Sequence, residues 1–521
     1  MAPGGGDSYL LPMTQAELNP LRAGLVNERK PAPCVVVIFG ASGDLTKRKL
    51  VPALFTLFDE GSLPESLAVL GFARKELDDA RFRADMKEGC EKYARRKPTA
   101  DTWAKFEHQL HYMEGSYDDA ASYRALDEKL KQLDATHGTQ GNRIFYLSTP
   151  PSSFAPVVQQ LGDAKLVGPG VKTPFRRVII EKPFGVDLES AQRLNREVLS
   201  VLDEQSVYRI DHYLGKETVQ NLMVLRFANG LFEPLWSNRH VDHVQITGAE
   251  SIGIEGRGGY FEQAGILRDM VQNHLFQVLA ITAMEPPVSM SADDLRDEKV
   301  KVLKALRPIP DGRVDDYVVR GQYTAGSVSG REQIGYQQEK GVTPGSRRET
   351  YAAMKLFIDN WRWAGVPFYL RSAKAMPKKV TEVALVFREA PLRLFGRTGG
   401  QGPNVLAIRI QPDEGVSLRF GAKVPGNTMD IQPVNMEFRY GTSFGVEPPE
   451  AYERLLLDCM VGDQALFTRG DEVEASWRWI SRVHEAWAAS SAEVDRYEAG
   501  TWGPEEADRL LARDGHQWRR P

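Results

Sequence analysis

Val35-Val36-Val37-Ile38-Phe39 runs without a polar residue and passes directly into Gly40-Ala41-Ser42-Gly43-Asp44-Leu45-Thr46. An unbroken apolar run of this length predicts a strand buried on both faces. Leu50, Leu54 and Leu57 recur at helical spacing and Gly61 closes the pattern, so a helix is predicted over 45–60. Strands are predicted over 67–72, 143–147 and 177–180, with helices over 78–95, 119–134 and 154–161. This alternation predicts an α/β domain with a Rossmann-like, doubly wound parallel sheet.

After about Arg209 the pattern changes. Segments 241–247, 318–323, 381–387, 404–410, 415–420 and 435–440 alternate apolar and polar residues, as antiparallel strands wet on one face do. Long helices are predicted over 265–284 and 451–461. The second half therefore reads as α+β with a large, mainly antiparallel sheet. A chain of 521 residues is too long for one core. The division expected is an N-terminal tail over 1–30, an α/β domain over 31–209, an α+β domain over 210–490 and a C-terminal tail over 491–521.

Lys and Arg number 66 against 70 Asp and Glu, which gives no electrostatic case for nucleic acid or a membrane surface as partner. Cys34, Cys90 and Cys459 have no metal-binding or redox spacing, so a reducing compartment and no metal are expected. No apolar run approaches the ~20 residues of a membrane span. No basic start followed by an apolar core opens the chain, so a cytoplasmic location is expected.

The turn formed by Gly40, Ala41, Ser42, Gly43, Asp44 and Leu45 lies between a strand and a helix. There, free N–H groups and the positive end of the helix favour a pyrophosphate. Its G-x-x-G spacing is a weak signal alone, and a tight turn without a ligand would look the same. The predicted second strand ends in Gly71-Phe72-Ala73-Arg74-Lys75. An NAD site usually has an acid at this point; Arg74 would instead grip a 2′-phosphate. NADP is the expected cofactor, with NAD use possible. Lys49 lies beside the turn and is a further cofactor-side candidate. Glu181-Lys182-Pro183-Phe184-Gly185 closes a strand at its carboxyl end, where ligands of such sheets bind. A cis bond before Pro183 would aim Lys182 into the cleft, although trans is the commoner isomer.

Arg209-Ile210-Asp211-His212-Tyr213-Leu214-Gly215-Lys216-Glu217 packs cations, a carboxylate, an imidazole and a phenol into nine residues. His212, Tyr213 and Lys216 suit an anionic group. Lys374 offers another cation, and Lys379 a weaker one. A proton acceptor working near neutrality is best sought among nine histidines. His108, His111, His137, His484 and His516 are expected at the surface. His240 and His243 have no obvious acidic company. His274 sits in Arg268-Asp269-Met270-Val271-Gln272-Asn273-His274, an otherwise apolar helix. Asp269, five positions earlier, falls about 140° away on an ideal α-helix. Asp211 is therefore assigned as the orienting carboxylate. Asp269 and Glu250 are assigned to hydroxyl groups of a ligand.

Together these stretches, with Gly256-Arg257-Gly258-Gly259-Tyr260-Phe261, resemble the glucose-6-phosphate dehydrogenase family from about Val35 to Trp479. The resemblance implies oxidation of C1 of glucose 6-phosphate with hydride transfer to NADP. It implies His274 as the base and Asp211 as its polarising partner. Lys182, His212, Tyr213, Lys216 and Lys374 match substrate binders of the family, with Lys182 also near the cofactor. A homodimer or homotetramer built through the second domain's sheet is implied as well. Animal members hold a second, structural NADP partly through a Tyr and a Lys. Ser417 and Arg419 stand there instead, so that second site is not expected. An enzyme for unphosphorylated hexoses and a non-catalytic dinucleotide sensor are the rival readings.

Overall fold

The computed structural model describes residues 31–392, 402–445 and 448–521. The N-terminal tail expected over 1–30 lies outside the described residues. Strands β1 (Cys34–Phe39), β2 (Leu67–Ala73), β3 (Leu110–Glu114), β4 (Arg143–Leu147), β5 (Arg176–Ile180) and β6 (Val207–Arg209) form one sheet. Its order is β3-β2-β1-β4-β5-β6 and every neighbouring pair is parallel. Every residue of β1 and β2 is buried, as the unbroken apolar runs require. The strand order reverses between β1 and β4, which opens a crevice beyond the carboxyl ends at Phe39 and Leu147. Two short strands escape the sequence reading: β3, of mixed polarity at the sheet edge, and the three-residue β6.

The second half contributes β7 (Val241–Ala249), β8 (Val318–Thr324), a small hairpin of β9 (Gly326–Val328) and β10 (Arg331–Gln333), then β11 (Tyr351–Phe357), β12 (Pro367–Ala373), β13 (Val380–Phe387), β14 (Val405–Gln411), β15 (Gly415–Lys423), β16 (Ile431–Arg439) and β17 (Asp495–Glu498). Nine of them form a mixed sheet, β16-β15-β14-β13-β7-β12-β11-β8-β17. The pairs β7–β12 and β8–β17 are parallel and the rest antiparallel.

Two expectations are corrected here, and they have one cause. Residues 491–521 are not a tail: β17 pairs with β8, and the helix Glu505–Ala512 packs on the sheet. The central strands are not wet on one face either, because this C-terminal segment covers it. Gln245 on β7 donates to the carbonyl of Gln517 at 2.8 Å and accepts the N–H of Arg519 at 2.7 Å. Arg371 on β12 donates to the carbonyl of Arg519 at 2.6 Å, and Arg519 donates to Glu382 on β13 at 2.7 Å. The polar residues that alternate along these strands serve the covering segment instead of water. At the far edge of the sheet β16 is largely exposed and β15 half-buried.

The chain also crosses back. The helices Ala451–Val461 and Gly470–Ala489 pack on the first domain's helices Val51–Asp59 and Leu188–Leu199 respectively. Arg177 on β5 donates to the carbonyls of Cys459 and Met460 at 2.7 and 2.8 Å, and the Trp477 indole to the carbonyl of Phe184 at 3.0 Å.

Trp518 is 8% exposed, with the Arg371 guanidinium 4.4 Å from its ring centre. Trp518→Ala should therefore cost about 3–5 kcal/mol, the usual range for emptying a buried tryptophan site. Denaturant unfolding of the two proteins measures it; a loss below about 1 kcal/mol would mean that the segment is only loosely attached.

Candidate active site

Gly40 ends β1 in the left-handed region at φ 84°, and a Cβ there would stand 2.1 Å from the carbonyl oxygen of Ser148. Only glycine lets the chain turn here while hugging β4. The N–H of Gly43 donates to the carbonyl of Gly40 at 2.9 Å and closes the turn. Ala41 is buried against β2, whereas Ser42, Gly43 and Asp44 are exposed. Leu45 leads into a π-helical turn, Thr46–Leu50, ahead of the helix Val51–Asp59. Arg74 is exposed just beyond β2, its guanidinium 5.6 Å from the Tyr117 ring. Lys49, read as cofactor-side, pairs instead with Glu450 at 2.8 Å, and its charge is felt by His212.

His274 and Asp211 meet across the two halves of the chain. Both are buried, and His274 Nδ1 donates to Asp211 Oδ1 at 2.6 Å. The N–H of Tyr213 donates to the same oxygen at 2.9 Å. The Tyr213 ring stacks on the imidazole with centroids 4.3 Å apart. On the other nitrogen, Lys182 Nζ lies 2.9 Å from His274 Nε2. An ammonium can only donate, so Nε2 holds the lone pair and Nδ1 carries the proton. Burial lowers the histidine's pKa against the pull of Asp211, and the net position is below its ordinary value. Burial raises the Asp211 carboxyl, but His274 and the Tyr213 N–H outweigh it and hold it down.

The helix reading needs correction. Residues Leu267–Leu275 form a π-helix that follows a kink at Gly265, φ 61°. In a π-helix the hydrogen bonds run i→i+5, so residues five apart lie one turn above the other. Asp269 and His274 therefore share a face, contrary to the ideal α-helical angle. Lys182 spans both: its Nζ donates to the Asp269 carbonyl at 3.0 Å and stands 3.6 Å from the Asp269 carboxylate. The peptide bond between Lys182 and Pro183 is cis.

Lys374 is buried between two carboxylates, pairing with Glu250 and with Asp269 Oδ2 at 3.1 Å. Burial lowers the Lys374 pKa, but Asp269 and Glu250 more than offset that. Its charge is thus matched within the protein. Tyr260 donates to Asp269 Oδ1 at 3.1 Å.

Lys216 lies at the other end of this group, held by Gln411 and 4.7 Å from the Tyr213 ring centre. Burial, then the nearby charge of Lys379, pull its pKa down to about 8. Lys379 itself is exposed. His212 packs edge-on to His274 at 4.3 Å; burial, then the charges of His274, Lys182 and Lys216, push its pKa well below the usual value.

Several residues absent from the sequence reading support this floor. Gln411 links Lys216, Tyr213 and Thr381. Glu181 accepts the hydroxyls of Tyr146 at 2.5 Å and Tyr452 at 3.2 Å, and Tyr452 lies parallel to the His212 ring. Glu181 was visible beside Lys182; Tyr452 and Gln411 carried no local signal. Among the histidines, His243 does have acidic company, bonding Asp242 at 2.8 Å, and His484 is not a surface ring.

Known proteins resemble the chain over nearly all of its length. The family model for the glucose-6-phosphate dehydrogenase NAD binding domain matches residues 37–221, and that for the C-terminal domain matches residues 223–519. Glucose-6-phosphate 1-dehydrogenase of Chlamydia pneumoniae is 48% identical over 503 residues, spanning 95% of this chain and 98% of that one. Glucose-6-phosphate 1-dehydrogenase 2 of Mycobacterium tuberculosis is 47% identical over 508 residues, spanning 96% and 98%. A solved glucose-6-phosphate dehydrogenase in complex with its substrate glucose 6-phosphate superposes with TM-score 0.85 at 35% identity, covering 95% of this chain and all of that one. The Mycobacterium avium enzyme does so at 0.79 and 36%, covering 94% and 99%. The chain belongs to the glucose-6-phosphate dehydrogenase family.

Proposed function

We propose that the crevice between the two sheets oxidises the C1 hydroxyl of glucose 6-phosphate to the lactone with NADP as acceptor, the first step of the oxidative pentose phosphate pathway. Family membership makes the chain an oxidoreductase acting on the CH–OH group of glucose 6-phosphate. The observation that carries the proposed mechanism is the lone pair on His274 Nε2, fixed there by Lys182 on one side and Asp211 on the other. Once the substrate hydroxyl displaces Lys182 Nζ from Nε2, such an imidazole accepts its proton as C1 loses its hydride. Asp211 then stabilises the resulting imidazolium, and Tyr213 keeps the ring in plane. Lys182 leads to the reacting centre, and Asp269 and Glu250 receive sugar hydroxyls. Lys374 pairs with both carboxylates and aligns them. His212, Tyr213 and Lys216 hold the phosphate, with Lys49 and Lys379 contributing charge at its edge.

The first sheet suits a dinucleotide. The turn from Gly40 to Leu45 brings backbone close to the switch point, and Lys182 faces the crevice from β5. Arg74 supports NADP over NAD, because a guanidinium grips a 2′-phosphate that an acid would repel. When bound, the cofactor supplies the hydride acceptor. No metal is proposed. Asp211, His212 and His274 form one group of three potential ligands, and Asp242, His243 and His516 another. In the second, Gln245 is fixed by Gln517 and Arg519 so that its amide donates to His243 Nε2, which leaves Nδ1 protonated toward Asp242. Lys182 does the same to His274. In each set one imidazole nitrogen already faces a nitrogen donor.

A homodimer or homotetramer in the cytoplasm completes the reading. Val434, Met436 and Phe444 are exposed on and next to the edge strand β16, a surface suited to a second copy. Among the described residues no helix is long and apolar enough to cross a membrane. Three buried free cysteines suit a reducing compartment.

His274→Asn should lower turnover by ~10²-fold or more while glucose 6-phosphate still binds, because general-base catalysis contributes ~10²–10⁴-fold. Steady-state kinetics with a direct binding measurement decides, and unchanged turnover removes His274 from the role. Arg74→Ala should weaken NADP far more than NAD; equal losses would contradict a 2′-phosphate contact. In kcat/KM against pH, the acid limb should lie below about 6.5, the ordinary histidine value. Lys216 is cationic below about 8 and neutral above it, so kcat/KM should fall as pH rises through that value. Lys216→Arg keeps the charge and should carry that limb upward. An alkaline limb that stays in place would acquit Lys216.

A further inference from the structure

A cavity of about 530 Å³ opens between the loop 343–349, Arg320 on β8, Arg268 at the start of the π-helix and the end of the helix Gly470–Ala489. Its volume falls within the ~300–1,000 Å³ usual for small-molecule sites. Arg268, Arg320, Arg347 and Arg348 all line it. Their hydrogen bonds go to backbone carbonyls. Arg268 donates to Val186 and Gln263, Arg320 and Arg347 to Ala492, Arg347 also to Ser490, and Arg348 to Glu262. Among the described residues, Arg348 with Glu349 at 3.6 Å is the one ion pair these four make.

Two carboxylates, Glu262 and Glu349, stand in the wall against the four guanidiniums. Glu262 accepts the hydroxyls of Tyr336 and Ser346, and Glu349 is buried with its pKa raised by burial. Burial lowers the pKa of Arg268, with Arg348 next in weight, and lowers that of Arg320, with Arg347 next. The guanidiniums thus repel one another. His484 lies in the same wall, and both its ring nitrogens are buried without a protein partner. The Arg320 guanidinium lies 5.4 Å from the Trp487 ring centre, which helps hold its fork in place.

Four convergent guanidiniums against two wall carboxylates leave an excess of positive charge in the cleft, a poor arrangement for stability alone. Their planar forks match phosphate oxygens. We infer that this cleft binds a small molecule carrying two or more phosphate groups, at a site separate from the active site. Arg268 is adjacent in sequence to Asp269, which faces the active site, and it holds the carbonyl of Val186 in the loop that follows Lys182. The ligand would therefore sit one residue from the catalytic machinery.

The test is thermal unfolding of the full chain titrated with inorganic pyrophosphate, with glucose 6-phosphate and NADPH saturating so that the active site is filled without turnover. A midpoint that rises with pyrophosphate is expected. Apparent affinity should be at least tenfold weaker in Arg347→Gln and in Arg348→Gln. Arg509→Gln, an exposed change elsewhere, should leave it as it is. Each variant's midpoint without pyrophosphate reports its folding, and Arg347→Lys, which keeps the charge and loses the fork, should bind with intermediate affinity. ATP and fructose 1,6-bisphosphate in place of pyrophosphate then distinguish a nucleotide from a sugar phosphate. No rise in the wild-type chain, or equal affinity in both glutamine variants, would overturn the assignment.

Discussion

A single hydrogen bond, His274 Nδ1 to Asp211 at 2.6 Å, joins the loop after β6 to the π-helix of the second half. Burying a carboxylate beside an imidazole is costly unless both are fully engaged. The imidazole is engaged at both nitrogens, whereas the carboxylate is engaged through Oδ1 alone and its Oδ2 is buried without a protein partner. The Tyr213 N–H takes a share of the carboxylate, the Tyr213 ring covers the imidazole and Lys182 occupies the far nitrogen. The residues around them supply charge or support to the same cluster: Lys374 between its two acids, Lys216 on Gln411, Tyr146 and Tyr452 on Glu181. Because the bond bridges the two halves, it fixes the crevice and the imidazole together.

The π-helix decides what can meet there. With i→i+4 bonding, Asp269 would point well away from His274; with i→i+5 bonding one lysine reaches both. A second π turn, Thr46–Leu50, follows the phosphate-type turn. Such local widening is often found at functional sites. It has no periodic signature that a sequence reader could see.

What was legible follows from continuity. Val35–Phe39, the glycine turn and the nonapeptide around Asp211 are contiguous, so their chemistry could be read directly. Partnerships across hundreds of residues were out of reach. Gln411 under Lys216 and Tyr452 beside His212 depend on register in a large sheet and on a helix returning from the far end. The C-terminal segment misled twice over. Its polar contacts with Gln245 and Glu382 imitate solvent, so strands covered on both faces looked half wet. Pro367–Ala373, wholly buried, gave no alternation to detect.

The helices Ala451–Val461 and Gly470–Ala489 tie the far end of the polypeptide onto the first sheet's helices. The dinucleotide half is consequently not a portable module: cut out at residue 209, it would bare the apolar flanks that these helices cover. The same strap restrains any jaw-like swing about the crevice, since opening would have to peel Arg177 from Cys459 and Met460 and Trp477 from Phe184. Admission of ligands then falls to side chains and short loops at the rim, and the scaffold behind them stays stiff.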